Sequence, residues 1–177
     1  NALAAEKFPG LRPIVCANLP YNITTPVLEK LVAAAAFESL TVLIQKEVAQ
    51  RLSAPQGSGD GGSFTLFLQY YMETELLFQV PREKFLPAPK VTSAVLRCVR
   101  RPRPAVEVED EEFFFRCVRG AFLLRRKTLA NSLSAALPGV SREQVQQALA
   151  DCGLPADIRG ERLTLEQFAH LSGKLAK

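Results

Sequence analysis

Histidine and metal chemistry have almost nothing to work with in this sequence. It holds one histidine, His170, and four cysteines, Cys16, Cys98, Cys117 and Cys152, with no C-x-x-C pair among them. A zinc site needs Cys and His clustered at ligand spacing, and a histidine-activated nucleophile needs that histidine beside it; neither pattern exists. The cysteines therefore read as reduced, small core hydrophobes of a cytoplasmic protein. No apolar run approaches the ~20 residues that cross a bilayer, and there is no signal-peptide pattern, so no membrane partner is expected. Charge is not strongly one-sided either: the 177 residues carry a formal net charge of +4. That becomes informative only where the cations cluster.

What is present is a globular composition. Hydrophobic residues make up 47% of the chain, enough for a core and too many for disorder. The first residue is Asn rather than Met, as expected of a piece of something longer. "PIVCANL" (13–19) reads as a buried strand, followed by a helix with Thr25 as N-cap and Pro26 at its first position. "SLTVLIQK" (39–46) reads as a second strand, "KEVAQRLSA" as a short helix, "PQGSGDGGS" (55–63) as a flexible loop and "FTLFLQYY" (64–71) as a helix. "TELLFQVP" and "TSAVLRCVRR" read as further strands. This alternation predicts an α/β part with a mainly parallel sheet. The prolines and charge runs of "RRPRPAVEVEDEE" place a domain boundary near residue 104, giving parts 1–103 and 104–177. Beyond it four helical patterns form a small all-α domain, with Ser141 and Gln144 fitting a capping box.

The stretch "ANLPYN" (17–22) closes the first strand, where α/β folds bind ligands. Asn18 offers a neutral amide oxygen, Pro20 biases Leu19 toward extended backbone, and Tyr21 offers an aromatic face. Two acceptors and a ring suit the exocyclic amine of a nucleobase, with no charged base required. The plain alternative is a turn capped by Asn18 with Tyr21 in the core. A second constellation is "FLPAPKVTSAVLR" (85–97), where Pro87, Pro89 and Val91 stiffen the chain beside Phe85. Its plain alternative is an ordinary inter-strand loop.

Taken together, "NLPYNITTPVLEKL", "QKEVAQRL", the glycine-rich loop with "FTLFLQYY", "FLPAPKVTSAVLR" and "RRKTLANSL" resemble the rRNA adenine-N6 dimethyltransferase family, in the family's order and over essentially the whole chain. "TTPVLEKL" and "RRKTLANSL" resemble the KsgA-type small-subunit branch more than the large-subunit resistance methylases. The resemblance implies the C-terminal part of a Rossmann-like class I methyltransferase sheet followed by a helical RNA-binding domain. It implies transfer of methyl groups from S-adenosylmethionine to two adjacent adenosines of small-subunit (16S) rRNA. Asn18 matches the residue between cofactor and target amine; Leu19 and Pro20 would supply carbonyls, Tyr21 would stack on the flipped base, and Phe85 would cover its other face. The rival readings are a non-catalytic RNA-binding ribosome-assembly factor, a large-subunit resistance methylase, and a DNA adenine methylase, the last disfavoured by leucine at position 19 and by the helical tail.

One departure bears on activity. The family's glycine-rich cofactor loop lies upstream of N-L-P-Y, and only seventeen residues precede Asn18 here. "GSGDGG" does not lie between a strand and a helix as such a loop must. The chain alone is therefore expected to be inactive, with the first strand lacking a partner on one side and its open edge a place for association. Two basic clusters, Arg97, Arg100, Arg101 and Arg103, then Arg116, Arg119, Arg125, Arg126 and Lys127, are the candidates for phosphate contact; Phe113, Phe114, Phe115 and Phe122 read as helical core.

Overall fold

A computed structural model describes residues 10–124 and 126–176. They divide into two compact units, one holding the described residues up to Ser53 together with Tyr71–Arg103, the other holding Ala54–Tyr70 and the residues from Pro104 onward. Residues 54–70, expected in the first part, thus pack with the helices of the second.

The first unit is a four-stranded sheet with helices. Its elements are β1 (Ile14–Asn18), α1 (Thr24–Ala33), β2 (Ser39–Gln45), α2 (Lys46–Leu52), β3 (Met72–Val80) and β4 (Ser93–Arg100), and the strand order is β1-β2-β4-β3. β1 and β2 are parallel, whereas β4 runs antiparallel to both β2 and β3. Three strands therefore share one direction and β4 is inserted against them, so the sheet is mixed rather than mainly parallel in its pairings. The inner pair carries the core: Leu40 faces Cys98, Val42 faces Leu96 and Ile44 faces Ala94, all fully buried. Alternate residues of β2 reach the core face, as the period of two requires. β1 ends the strand order, and Ile14 is 65% exposed there. Among the described residues no strand pairs with its outer side.

α1 buries Leu28 and Val32, one turn apart on a single stripe. Its N-cap is Ile23 rather than Thr25, because a short 3₁₀ turn, Tyr21–Ile23, runs directly into the helix. Pro26 still falls in the first turn, where its missing N–H leaves no helix bond unmade.

The second unit contains α3 (Ser63–Tyr71, whose last residue belongs to the first unit), α4 (Glu111–Ala121), α5 (Leu129–Ala136), α6 (Arg142–Asp151) and α7 (Leu165–Leu175). Phe67 and Tyr70 of α3 pack on Phe115, with centroids 5.4 and 5.0 Å apart, and Tyr70 also meets Phe114 at 5.4 Å. That aromatic cluster is why residues 54–70 join the helical unit. The capping box at Ser141 and Gln144 is formed, and a second one, Thr164 with Gln167, starts α7. The loop expected to be flexible is pinned: Arg162 donates to the Ser58 carbonyl at 3.0 Å, and Gln56 Oε1 accepts from Leu165 N–H at 2.9 Å. Gly57, at φ +75°, lies so close to Arg162 that a Cβ would stand 3.0 Å from its carbonyl oxygen. No described helix is long and apolar enough to cross a membrane.

Candidate nucleobase site

The carboxyl ends of β1, β2 and β3 and the start of β4 lie at one end of the sheet, because Asn18 pairs with Leu43 and Ser93 pairs with both Gln45 and Val80. This is the end where open α/β sheets place their ligands. Both candidate motifs emerge there. Leu19 N–H donates to the Leu43 carbonyl at 3.1 Å, which carries the strand pairing one residue past Asn18 before Pro20 turns the chain. Asn18 stands exposed at the strand end, while Leu19 is buried.

The Pro20 carbonyl accepts from Ile23 N–H at 3.2 Å and from the Thr24 hydroxyl at 3.1 Å. A carbonyl has two lone pairs, and both are engaged inside the turn. The acceptor role expected of Pro20 is therefore closed to a ligand, and the residue works as the brace of the turn. The Asn18 amide and the Leu19 carbonyl, by contrast, have no partner among the described residues.

Tyr21 is half-buried, and its hydroxyl shares a 2.7 Å hydrogen bond with Ser93 Oγ, 72 residues on. Ser93 is fully buried and directly follows the proline-rich segment that carries Phe85. Lys46 N–H donates to the Thr92 carbonyl at 3.0 Å and adds a second tie at the same place. The two motifs are thus fastened to each other. Phe85 is half-buried with extended backbone, φ −115° and ψ 148°, after the 3₁₀ turn Arg82–Lys84. Its ring and that of Tyr21 make no contact with each other among the described residues. Ser93 and Thr24 were not singled out by their residue types. The available signal was a hydroxyl beside or within an apolar run, which has to find a partner once buried.

The basic candidates separate. Arg97 is exposed on β4, opposite Glu75. Arg100, expected to contact RNA, instead donates to the carbonyls of Val32 and Phe37 at 2.8 and 3.0 Å, so its guanidinium holds the end of α1 and the chain leading into β2. Arg101 pairs with Glu73 at 3.2 Å. In the other unit Arg126 and Lys127 are exposed, and Arg125 lies outside the described residues. Phe114 and Phe115 are core, whereas Phe113 is half-buried with Arg116 over its ring at 5.7 Å. Cys98 and Cys117 are buried thiols as expected, but Cys16 on β1 is exposed.

As to a methyl donor, the strand-to-helix connection after β1 contains no glycine, and "GSGDGG" sits in the helical unit against Arg162. Asn18 and Leu19 present a neutral acceptor set at the strand end. Among the described residues, no three His, Cys, Asp or Glu gather as a metal site.

Comparison with known proteins bears on this geometry. A protein of Geobacillus sp. (strain WCH70) named ribosomal RNA small subunit methyltransferase A is 45% identical over 99% of this chain and 62% of its own length. Its namesake in Streptococcus gordonii is 47% identical, over 98% of this chain and 61% of its own length. The chain thus spans about three fifths of the length of these curated relatives. Among solved structures, a 23S rRNA methyltransferase, ErmE, superposes with a TM-score of 0.71 at 26% identity, over 96% of this chain and 67% of that one. A dimethyladenosine transferase from Plasmodium falciparum reaches 0.73 at 22% identity, over 93% of this chain and 66% of that one, which speaks to the Rossmann-like fold. The family model of ribosomal RNA adenine dimethylase matches residues 7–177, a span that takes in both the Asn18–Tyr21 turn and the proline-rich loop: the chain belongs to that family.

Proposed function

We propose that these residues form the nucleobase-gripping part of an S-adenosylmethionine-dependent adenine-N6 dimethyltransferase acting on two adjacent adenosines of small-subunit rRNA. The observation that carries the reading is the Tyr21–Ser93 bond, which ties the N-L-P-Y turn to the loop bearing Phe85. Asn18 Oδ1 and the Leu19 carbonyl accept the two N–H bonds of the adenine amine. Held this way, the amine turns out of conjugation and its lone pair is freed for attack. Tyr21 stacks on one face of the extruded base and Phe85 on the other, which orients it and excludes water. When bound, S-adenosylmethionine would supply an electrophilic methyl group, and Asn18 is the residue that the resemblance would set beside it. No ionised base is needed, because the proton on the alkylated nitrogen is strongly acidic and is lost to solvent once the methylated base leaves the closed site.

The small-subunit branch is preferred to the resistance methylases because the relatives at 45–47% identity carry the small-subunit name. The absent glycine-rich strand-to-helix loop favours a narrower reading for the 177 residues on their own, namely RNA binding without methyl transfer. Arg97, Arg126 and Lys127 are the proposed phosphate contacts, and the outer edge of β1 is a proposed place of strand addition.

The test is a chimera in which this chain replaces the matching segment of the Geobacillus protein. Folded chimera is expected to transfer tritiated methyl groups to undermethylated small-subunit rRNA, and Asn18→Ala to abolish transfer. A folded chimera that binds donor and rRNA but methylates nothing overturns the reading. The chain alone is expected to bind an rRNA hairpin yet not S-adenosylmethionine; micromolar donor binding in calorimetry refutes that part.

A further inference from the structure

Leu86 is fully exposed, at 101% of its reference area, well beyond the next most exposed large hydrophobic, Leu11 at 69%. It follows Phe85 directly and precedes Pro87 and Pro89, whose rings fix φ at two nearby positions. Val91, also exposed, lies on the same segment. The segment is anchored at its far end by the Thr92–Lys46 bond and by Ser93. An apolar side chain held outward on a stiffened, anchored loop loses little conformational entropy on being covered.

Its surroundings indicate what covers it. Lys84 and Lys90 flank the leucine, both exposed, and neither meets a carboxylate within ion-pair distance among the described residues. The nearby acid, Glu83, is already engaged by Arg82 at 3.1 Å. An apolar tip between two free cations matches a stacked, polyanionic surface: the tip enters between bases while the cations meet phosphates on either side. A protein groove would leave both lysines to be paired or desolvated.

We infer that Leu86 is a wedge that enters the base stack of the RNA beside the adenine gripped at Tyr21 and Phe85, with Lys84 and Lys90 holding the flanking phosphates. This rests on the proposed function and adds to it a residue that opens the stack rather than one that holds the extruded base. Position follows from the loop: the same stiff segment presents Phe85 half-buried and Leu86 outward. As the adenine leaves the stack, the leucine occupies the space and disfavours its return.

The experiment uses the 177-residue chain and an rRNA hairpin that keeps both target adenosines and carries 2-aminopurine in place of a nucleotide flanking them, whose fluorescence rises when its neighbour leaves the stack. Wild type is expected to bind and raise the signal. Leu86→Ala is expected to bind within about threefold of wild type but to lose at least about fivefold of the rise at saturation, and Leu86→Met to restore it. Lys84→Gln with Lys90→Gln is expected to flatten the dependence of log K on log salt by about 1.4–1.8 while leaving the saturated rise intact. A full rise with Leu86→Ala overturns the wedge and leaves the functional reading standing. Absence of any hairpin binding by wild type overturns both. Sedimentation of the same proteins gives the remaining outcome: if Leu86→Ala breaks up a dimer and leaves the fluorescence unchanged, the loop is a contact between copies and the inference fails.

Discussion

Tyr21 and Ser93 stand 72 residues apart in the chain and 2.7 Å apart in space, hydroxyl to hydroxyl, with Ser93 fully buried. The bond ties the Tyr21 ring to the start of β4. Removing either partner leaves a buried hydroxyl unpaired or a ring untethered. Tyr21→Phe and Ser93→Ala are each expected to lower unfolding free energy by about 0.5–1.5 kcal/mol, and the double variant by less than their sum. Urea unfolding of the four proteins measures the coupling; strict additivity would mean the bond contributes nothing. In the chimera, Tyr21→Phe keeps the ring but frees its angle, so kcat should fall more than donor affinity.

Gly160 and Gly173 predict opposite signs for one substitution. A Cβ at Gly160 would stand 2.8 Å from both the Cβ and the carbonyl oxygen of Ala121, and backbone there cannot swing aside. Gly160→Ala is expected to cost about 1–3 kcal/mol. Gly173 is exposed within α7, with nothing within 4 Å of an added Cβ. Gly173→Ala should stabilise by about 0.5–1 kcal/mol, because it removes chain entropy from the unfolded state and favours helix. Thermal melts of the pair decide it.

Alkaline pH should weaken the fold. Burial pushes the Cys98 and Cys117 thiols from 9.0 up to about 12. Burial, then the neighbouring Glu111 carboxylate that accepts its hydrogen bond, pushes the Tyr70 hydroxyl from 10.0 to about 12. In each case the folded state keeps a proton that the unfolded state releases. Stability from these groups is therefore whole below pH 9 and declines as pH rises from 9 toward 12. Tyr70→Phe should flatten the part of the decline that begins near pH 10, measured by denaturant titration at each pH. The same burial makes thiol labelling selective: exposed Cys16 should react first in the native protein, with Cys98 and Cys117 protected until it unfolds.

The elements were readable where local pattern decides them. β2 alternates buried and half-buried along its length, and Ser141 with Gln144 sets a helix start by chemistry confined to four residues. The resemblance implies that Asn18, Tyr21 and Phe85 serve one base, and the strand register brings the N-L-P-Y turn and the segment that follows Phe85 to one end of the sheet. The remaining features depend on which partner a side chain finds, whether four residues away or forty. Thr24, rather than Thr25, helps close the turn because the Pro20 carbonyl is within reach of its hydroxyl. Residues 54–70 join the helical unit because Phe67 and Tyr70 meet Phe115, a residue more than forty positions later. Sequence shows that these side chains need partners but not which ones they find. The same limit made Arg100 look like a phosphate contact, since charge is visible in sequence and the carbonyls of Val32 and Phe37 are not.

Arg97 and Arg100, three positions apart on β4, should therefore fail in different assays. Arg97 is exposed, and the proposed RNA role gives it one phosphate; Arg97→Gln should leave stability nearly unchanged and reduce the salt slope of hairpin binding by about 1. Arg126→Gln with Lys127→Gln should reduce that slope by up to about 2, and an unchanged slope would remove them from the interface. Arg100 spends its guanidinium on two carbonyls at 2.8 and 3.0 Å, so Arg100→Gln leaves those acceptors short of a charged donor. The expected loss is about 1.5–3 kcal/mol of unfolding free energy with no change in salt slope. Arg100→Lys should recover little of it, because one ammonium cannot reproduce the planar fork that reaches both carbonyls at once. If Arg100→Gln instead unfolds like wild type and binds RNA more weakly with a flatter slope, the guanidinium leaves those carbonyls for phosphate in the complex, and its place is at the interface.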